Sequence, residues 1–402
     1  MNPSAIRILL IEDNPTDARL LAEMLRETAP FAFELVWMDR LAKALDYLAH
    51  NNVDVTLADL SLPDATGLDT VIRTRQQNSD LPIIVLTGSS SDEKAIAALR
   101  AGAQDYLIKG WADSELIIRT VRYAIERKRT EAELARYARE LQARNEQIQS
   151  DLLLAREIQL ALLPHSYPIY PPNVAPEQSI IQFHHHYQPA AYLAGDFFDV
   201  FSITDTRVGV FICDVMGHGI RAALITAMIR PLVDELTSKA SDPDVLLGEI
   251  NQELVAILRQ ANSTVFATAF YMVMDLQQRR LCYANAGHPS PLILQPHRNR
   301  VIPIPSHQAS GPALGLFPNS VYSTIQSPIE SGDTLFLYTD GLFEATNANE
   351  EEYGLQRLQE AIQQRLHQPP RTLFAELLAD VQQFTGTKEF PDDVCLLGIE
   401  MR

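Results

Sequence analysis

Between residues 6 and 108, short apolar runs alternate with segments of helical period. Runs at 6–11, 33–37, 53–57, 82–87 and 105–108 predict five strands separated by helices. Such alternation implies a doubly wound α/β domain with a parallel sheet covered on both faces. The pattern then changes. Residues 114–163 contain neither Gly nor Pro and are rich in Ala, Leu, Glu, Arg and Gln, which lose little side-chain freedom in a helix. Leu134, Leu141, Ile148, Ala155 and Leu162 recur every seven residues, with Tyr137 and Ile158 three residues after two of them. That is an apolar seam, interrupted at Arg144 and Asp151, and it predicts a coiled-coil connector of about 75 Å. Pro164 ends it, and a loop with Pro168, Pro171, Pro172 and Pro176 follows.

Beyond the loop, apolar runs at 180–187, 197–203, 208–213, 265–274, 281–285 and 334–338 predict strands, and helical patterns cover 220–236, 244–259, 355–365 and 372–384. Short turns between consecutive strands indicate antiparallel sheets with helices grouped outside, an α+β sandwich. The expected organisation is a domain over 1–125, a connector over 126–164 and a domain over 177–402.

The chain of 402 residues carries a formal net charge of −18, which argues against phosphate-backbone recognition of nucleic acid. Cys213, Cys282 and Cys395 are odd in number and lie in apolar or strand-like runs, so reduced, packed thiols are expected. The apolar run at 6–11 meets Glu12 and Asp13 at once, which predicts no signal peptide or membrane span and a cytoplasmic setting.

In open parallel sheets ligands sit beyond the carboxyl ends of the strands. There the first half places Glu12 and Asp13, Asp59, Thr87 and Lys109. Three carboxylates suit a hard cation such as Mg²⁺, which lets an aspartate accept a phosphoryl group despite like charge. Asp13 or Asn14 before Pro15 is also suited to capping a helix. The motifs Ile11-Glu12-Asp13-Asn14, Asp59-Leu60-Ser61-Leu62-Pro63, Leu86-Thr87-Gly88 and Asp105-Tyr106-Leu107-Ile108-Lys109 resemble the receiver domain of two-component response regulators. The resemblance implies a flavodoxin-like receiver and an upstream sensor histidine kinase or phosphotransfer protein. It implies phosphorylation at Asp59, Mg²⁺ held by Glu12, Asp13 and Asp59, and phosphoryl contacts or switching by Thr87, Tyr106 and Lys109. Gly110 stands where the family has Pro after the lysine, which leaves the turn geometry open.

In the second half Asp196 and Asp199 flank two phenylalanines, Asp214 and Asp340 follow apolar runs, and Asp392-Asp393 opens the last one. A strand-end Asp before Gly is also an ordinary turn. An oxygen-only cluster without Cys suits Mg²⁺ or Mn²⁺ rather than Zn²⁺, and two such ions can activate water for in-line attack on phosphorus. The segments Leu193-Ala194-Gly195-Asp196-Phe197-Phe198-Asp199, Asp214-Val215-Met216-Gly217-His218-Gly219, Phe266-Ala267-Thr268, Ala286-Gly287-His288, Leu337-Tyr338-Thr339-Asp340-Gly341-Leu342 and Asp392-Asp393-Val394 resemble the metal-dependent serine/threonine protein phosphatases, in their bacterial sigma-regulator and sporulation stage II E branch. Residues 156–164 resemble the connector that precedes such domains. The resemblance implies an α-β-β-α sandwich in which Asp214 bridges two Mn²⁺ or Mg²⁺ ions, Asp196 and the Val215 carbonyl serve one, and Asp340 with Asp392 or Asp393 serves the other. Asp199 reads as a supporting residue, and His218 and His288 receive no proton-transfer role. The triplet His184, His185, His186 alternates across a strand, so the three cannot share one site.

Together these resemblances imply a response regulator whose output is dephosphorylation of phosphoserine or phosphothreonine on a STAS-type protein, working as a parallel homodimer under control of Asp59. The alternative is a catalytically silent, phosphorylation-gated scaffold. A DNA-binding output lacks a basic recognition helix.

Overall fold

The structure, a computed structural model, describes residues 5–88, 92–260, 265–305 and 310–402. It divides into two compact units, residues 1–146 and 147–402. In the first, β1 (Ile6–Ile11), α1 (Pro15–Thr28), β2 (Phe33–Met38), α2 (Leu41–His50), β3 (Val55–Asp59), α3 (Asp69–Gln77), β4 (Ile83–Thr87), α4 (Asp92–Arg100) and β5 (Asp105–Ile108) follow in turn, and then α5 (Ser114–Leu162), whose last residues from 147 on belong to the second. The strands form one parallel sheet in the order β2-β1-β3-β4-β5, the flavodoxin-like order, with the chain reversing direction across the sheet at β1 and β3. Alternate side chains feed two cores. Ile8, Leu10, Leu57 and Leu86 pack with α1 and with Ile117, Ile118, Val121 and Ala124 of α5, while Leu9, Ile11, Ala58 and Val85 pack with α2 and α3.

Asn14 caps α1, its Oδ1 accepting the Thr16 amide at 2.9 Å, so Asp13 is not needed as the cap. Asp113 does the same for α5 through the Leu116 amide at 2.8 Å. Gly110 has φ +81°, a left-handed conformation closed to proline, so the departure at this position changes the turn itself.

Along α5 the predicted seam is largely uncovered: Leu134 is 64% and Ile158 60% exposed, and Tyr137, Leu141 and Ile148 are exposed as well. Ala155 and Leu162 differ, each being half-covered by their own chain. Among the described residues no helix is long and apolar enough to cross a membrane.

The second unit contains β6 (Ile181–Gln188), β7 (Asp196–Thr204), β8 (Arg207–Val215), α6 (Ile220–Glu235), α7 (Pro243–Gln260), β9 (Ala267–Asp275), β10 (Arg280–Ala286), β11 (Leu292–Gln295), β12 (Arg300–Pro303), β13 (Ile325–Pro328), β14 (Thr334–Tyr338), α8 (Gly354–Gln364), α9 (Pro370–Thr385) and β15 (Val394–Met401). One antiparallel sheet runs β10-β9-β8-β7, with β13 also on β10; the other runs β12-β11-β14-β15-β6. Leu335 and Leu337 of β14 join the core formed by β7 to β10, α6 and α7, whereas Phe336 and Tyr338 join another with α8 and α9. Period-two alternation thus gives each face of that sheet its own apolar partner. The sequence pattern missed β11, β12 and β13, which are too short for a periodic signal. Cys213, Cys282 and Cys395 are free, and the first and last of them are buried.

Candidate functional site

Parallel register brings the carboxyl ends of β1, β3, β4 and β5 level, Ile11 opposite Ala58, Asp59 opposite Leu86 and Thr87 opposite Ile108. Glu12, Asp13 and Asp59 consequently offer oxygens all within 4.8 Å of one another. Glu12 and Asp59 are buried and Asp13 is exposed. Lys109 Nζ lies 2.6 Å from Glu12 Oε2 and 2.6 Å from Asp59 Oδ2, and 3.4 Å from Asp17, a contact the sequence did not disclose. Burial raises the Glu12 carboxyl above the ordinary range, against the pull of Lys109. Burial works against the Lys109 ammonium too, but its hydrogen bonds to Asp59 and Glu12 prevail and hold it charged. Thr87 is buried, and its carbonyl accepts the Lys109 amide at 2.8 Å, while Tyr106 is half-buried against the neighbouring core. An open cleft of about 820 Å³, lined by Asp13, Asp59, Thr87 and Lys94 among others, leaves the Asp59 face accessible.

The cluster fits a hard divalent cation, because three oxygens converge and one ammonium does not balance three carboxylates. Replacing Lys109 with methionine removes the cation that bridges two buried carboxylates. The substitution is expected to destabilise the metal-free receiver by about 3 kcal/mol, with part of the loss recovered in Mg²⁺. Urea unfolding checks this, and an unchanged midpoint would show that the ammonium is not needed there.

In the second unit the two sheets each contribute a pair. Asp196 and Asp214 face one another across β7 and β8, and Asp214 is in register with Thr268 of β9. Asp340 follows β14 and Asp392 precedes β15, at the ends where Tyr338 pairs with Leu396. Asp214 lies within its strand rather than beyond its end, since β8 extends to Val215. Thr339 joins the pairs: its Oγ1 donates to Asp196 Oδ2 at 2.7 Å and accepts the Cys395 amide at 2.9 Å. Asp393 accepts the Ala190 and Gly195 amides at 2.7 and 2.6 Å, so both its oxygens are engaged in holding backbone. Asp392 is the member of that pair whose charge acts on Asp340, while both act on Asp214.

Two glycines permit the approach. A Cβ on Gly195 would stand 2.8 Å from the Val215 carbonyl, and one on Gly341 would stand 2.1 Å from the Asp393 carbonyl.

Charge is concentrated here without compensation. Burial, followed by repulsion from Asp340, Asp392 and Asp393, pushes the Asp214 carboxyl up to about 8. Burial and Asp214 raise Asp196 well above the ordinary range, and burial with Asp392 raises Asp340. Glu344, one turn after Asp340, is raised by burial and by Asp340; the sequence reading passed over it. Among the described residues no Lys or Arg pairs with Asp196, Asp214, Asp340 or Asp392. An all-oxygen, uncompensated set fits divalent cations. It is spread more widely than the receiver cluster, since among the described residues no three carboxylates here meet the 4.8 Å separation.

The remaining predicted residues are placed apart from this cluster. Asp199 ion-pairs with Arg230 of α6 and accepts the Val200 amide at 2.9 Å, a tether between strand and helix. His288 is buried beside Thr268, Nδ1 2.9 Å from its hydroxyl, and burial pulls its imidazolium down to about 3, so it is neutral. His185 meets the Tyr167 hydroxyl, His184 meets Glu400 and His186 meets Gln188, three different surroundings as strand alternation requires.

A pocket of three carboxylates and a lysine at the edge of a doubly wound sheet, and a carboxylate cluster between two antiparallel sheets, give the chain two separate candidate sites. Family models give the parts their names: residues 8–121 are a response regulator receiver domain, and residues 204–402 are a stage II sporulation protein E (SpoIIE) domain. The chain is 26% identical over 351 residues to protein IcfG of Synechocystis sp., covering 80% of this chain and 51% of that one. It is 25% identical over 223 residues to the phosphoserine phosphatase RsbP of Bacillus subtilis, covering 55% of this chain and 53% of that protein. The chain therefore spans about half the length of the curated relatives it matches. Among solved structures, the SiaA-PP2C domain of Pseudomonas aeruginosa matches with a TM-score of 0.55 at 22% identity, over 65% of this chain and 99% of that domain, a likeness of fold.

Proposed function

We propose that the protein is a response regulator whose output is divalent-metal-dependent hydrolysis of phosphoserine or phosphothreonine on a protein substrate, controlled by phosphorylation of Asp59. The observation that carries this reading is the meeting of Asp196, Asp214, Asp340 and Asp392 at the junction of two sheets with no basic partner among the described residues. The likeness to a relative named as a phosphoserine phosphatase supports the substrate class. Asp214, Asp196, the Val215 carbonyl, Asp340 and Asp392 would hold two Mn²⁺ or Mg²⁺ ions. Asp393 supports the site by holding Ala190 and Gly195. When bound, such ions acidify water and neutralise phosphoryl oxygens.

The chain's own residues orient that chemistry. Thr339 fixes the Asp196 carboxylate by a hydrogen bond from one side, and Asp393 fixes the preceding glycine from the other. Neutral His288 holds Thr268 next to Asp214 in the register and brings no positive charge to compete with a cation.

In the receiver, Glu12, Asp13 and Asp59 would hold Mg²⁺, Asp59 accepts the phosphoryl group from a histidine kinase or phosphotransfer protein, and Thr87, Tyr106 and Lys109 respond to it. We read the second unit as an α-β-β-α sandwich and residues 126–164 as a connector whose exposed seam pairs with a second copy in parallel. The substrate is a STAS-type regulator. Mn²⁺-dependent phosphate release from a phosphoserine peptide, with and without beryllofluoride, tests the reading: release that changes with beryllofluoride is expected. Bound Mn²⁺ with no release from any phosphoprotein would leave the scaffold in its place.

A further inference from the structure

The row of side chains that begins with Asp196 and Asp214 continues on the next strand. Thr268 of β9 is in register with Asp214, as Asp214 is with Asp196. Directly opposite residues of an antiparallel pair share a face, with Cβ atoms about 5 Å apart, so the Thr268 side chain stands beside the two carboxylates. Its neighbours Ala267 and Ala269 are fully buried, whereas Thr268 is only half-buried.

Behind Thr268 stands His288. Asn285 clamps its backbone, Oδ1 accepting the His288 amide at 2.8 Å and Nδ2 donating to the His288 carbonyl at 2.9 Å. The residue is 4% exposed, and its Nδ1 lies 2.9 Å from Thr268 Oγ1. Nε2 is buried and has no hydrogen-bond partner among the described residues. The imidazole is neutral, because burial overrides the Tyr338 backbone that favours its charged form, so the ring has one N–H to place. A proton on Nε2 would be a buried donor with no acceptor in hydrogen-bonding geometry, whereas on Nδ1 it is received by Thr268. The hydrogen-bond network thus assigns the proton to Nδ1. Thr268 then accepts from the ring, and its own hydroxyl proton is left to give elsewhere.

A site built of carboxylates is short of donors. Phosphoryl oxygens, like carboxylate oxygens, accept hydrogen bonds, and among the described residues no Lys or Arg pairs with Asp196, Asp214, Asp340 or Asp392. Of the two threonines beside this row, Thr339 is committed: its proton goes to Asp196 and its oxygen takes the Cys395 amide. Thr268 has a proton to offer.

We propose that Thr268 binds a phosphoryl oxygen of the substrate by donating its hydroxyl, and that His288 is the positioning residue that turns this hydroxyl outward. The proposal rests on the reading of the carboxylate cluster as the cation site of a phosphatase. The carboxylates hold the cations that offset phosphoryl charge, and one neutral donor fixes the orientation of the phosphoryl group without adding a charge that would compete with them.

The test is calorimetric titration of Mn²⁺, then of inorganic phosphate, into the full chain carrying Asp13→Asn, so that the receiver's own cation site takes no part. Thr268→Val keeps the shape and removes the hydroxyl, and Thr268→Ser keeps the hydroxyl. Mn²⁺ affinity is expected to be unchanged in both. Phosphate affinity is expected to be at least about tenfold weaker in Thr268→Val, the loss of one hydrogen bond to a charged group, and close to that of the parent in Thr268→Ser. Equal phosphate affinity in Thr268→Val and its parent, or a Mn²⁺-loaded parent that takes up no phosphate, overturns the role of Thr268 while leaving the cation site intact. Mn²⁺ binding weakened along with phosphate overturns it too, because Thr268 would then act through Asp214. A parent that takes up no Mn²⁺ overturns the cation reading itself. For His288, nitrogen NMR of the ring in the unmodified, Mg²⁺-loaded chain needs no variant to fold and reads what a merely structural role would not move. The Nδ1–H form is expected, with a shift on adding phosphate. An Nε2–H ring, which would draw the Thr268 hydroxyl toward itself, or a ring unmoved by phosphate overturns the positioning role.

Discussion

Replacing Asp214 with asparagine is expected to reduce phosphate release by roughly 10³-fold or more, the consequence of losing several kcal/mol of cation-derived stabilisation. The same substitution is expected to raise the melting temperature of the metal-free protein. Asp214 is partly buried, opposite Asp196 in the register, and repelled by Asp340, Asp392 and Asp393 with no basic partner among the described residues. Asparagine keeps the shape and removes the charge, so the apo fold gains about 1 kcal/mol. Calorimetric melting and phosphate-release assays on one preparation measure both. Opposite signs distinguish a ligand-holding carboxylate from a structural one, whose loss would lower stability and activity together. A variant that retains full release would remove Asp214 from the site.

Asp59→Asn is expected to abolish uptake of a phosphoryl group from a small-molecule donor such as acetyl phosphate, leaving less than about one-hundredth of the wild-type signal by intact-protein mass. The carboxamide lacks the nucleophilic oxygen, and covalent transfer to a carboxylate has no partial substitute. Glu12, the nearest buried carboxylate, is held by Lys109 at 2.6 Å and by the Asn14 amide at 3.2 Å. The fold itself should persist, since Lys109 keeps Glu12 as its partner. Labelling equal to wild type would place the acceptor elsewhere and detach the receiver reading from Asp59.

Several of these features were legible in the chain because they are local or periodic. The receiver strands announce themselves as apolar runs, four of the five followed closely by a candidate site residue, and parallel strands present those residues at one edge. The long helix is evident from an absence of Gly and Pro. Its bounds in the structure, Ser114–Leu162, differ by one residue from the pattern. Short strands such as Arg300–Pro303 carry too few residues for periodicity to register. The hydroxyl of Thr339 gave no signal, because its value lies in reaching Asp196 across 143 residues of chain. Gln159 lies in the segment 156–164 that resembles a connector, but its grip on the Ala194 backbone, 35 residues away, gave no signal.

What the chain determined by itself was the kind of element at each place and the chemical character of the residues at its ends, since both follow from backbone propensity and side-chain type. The structure alone decided which carboxylates share a neighbourhood. It pairs Asp196 with Asp214 and Asp340 with Asp392, and it turns Asp393 to bind backbone amides instead. Adjacent aspartates are equivalent as letters. They differ once the approach to β15 turns Asp393 toward the Ala190 and Gly195 amides, which it accepts, and leaves Asp392 beside Asp340.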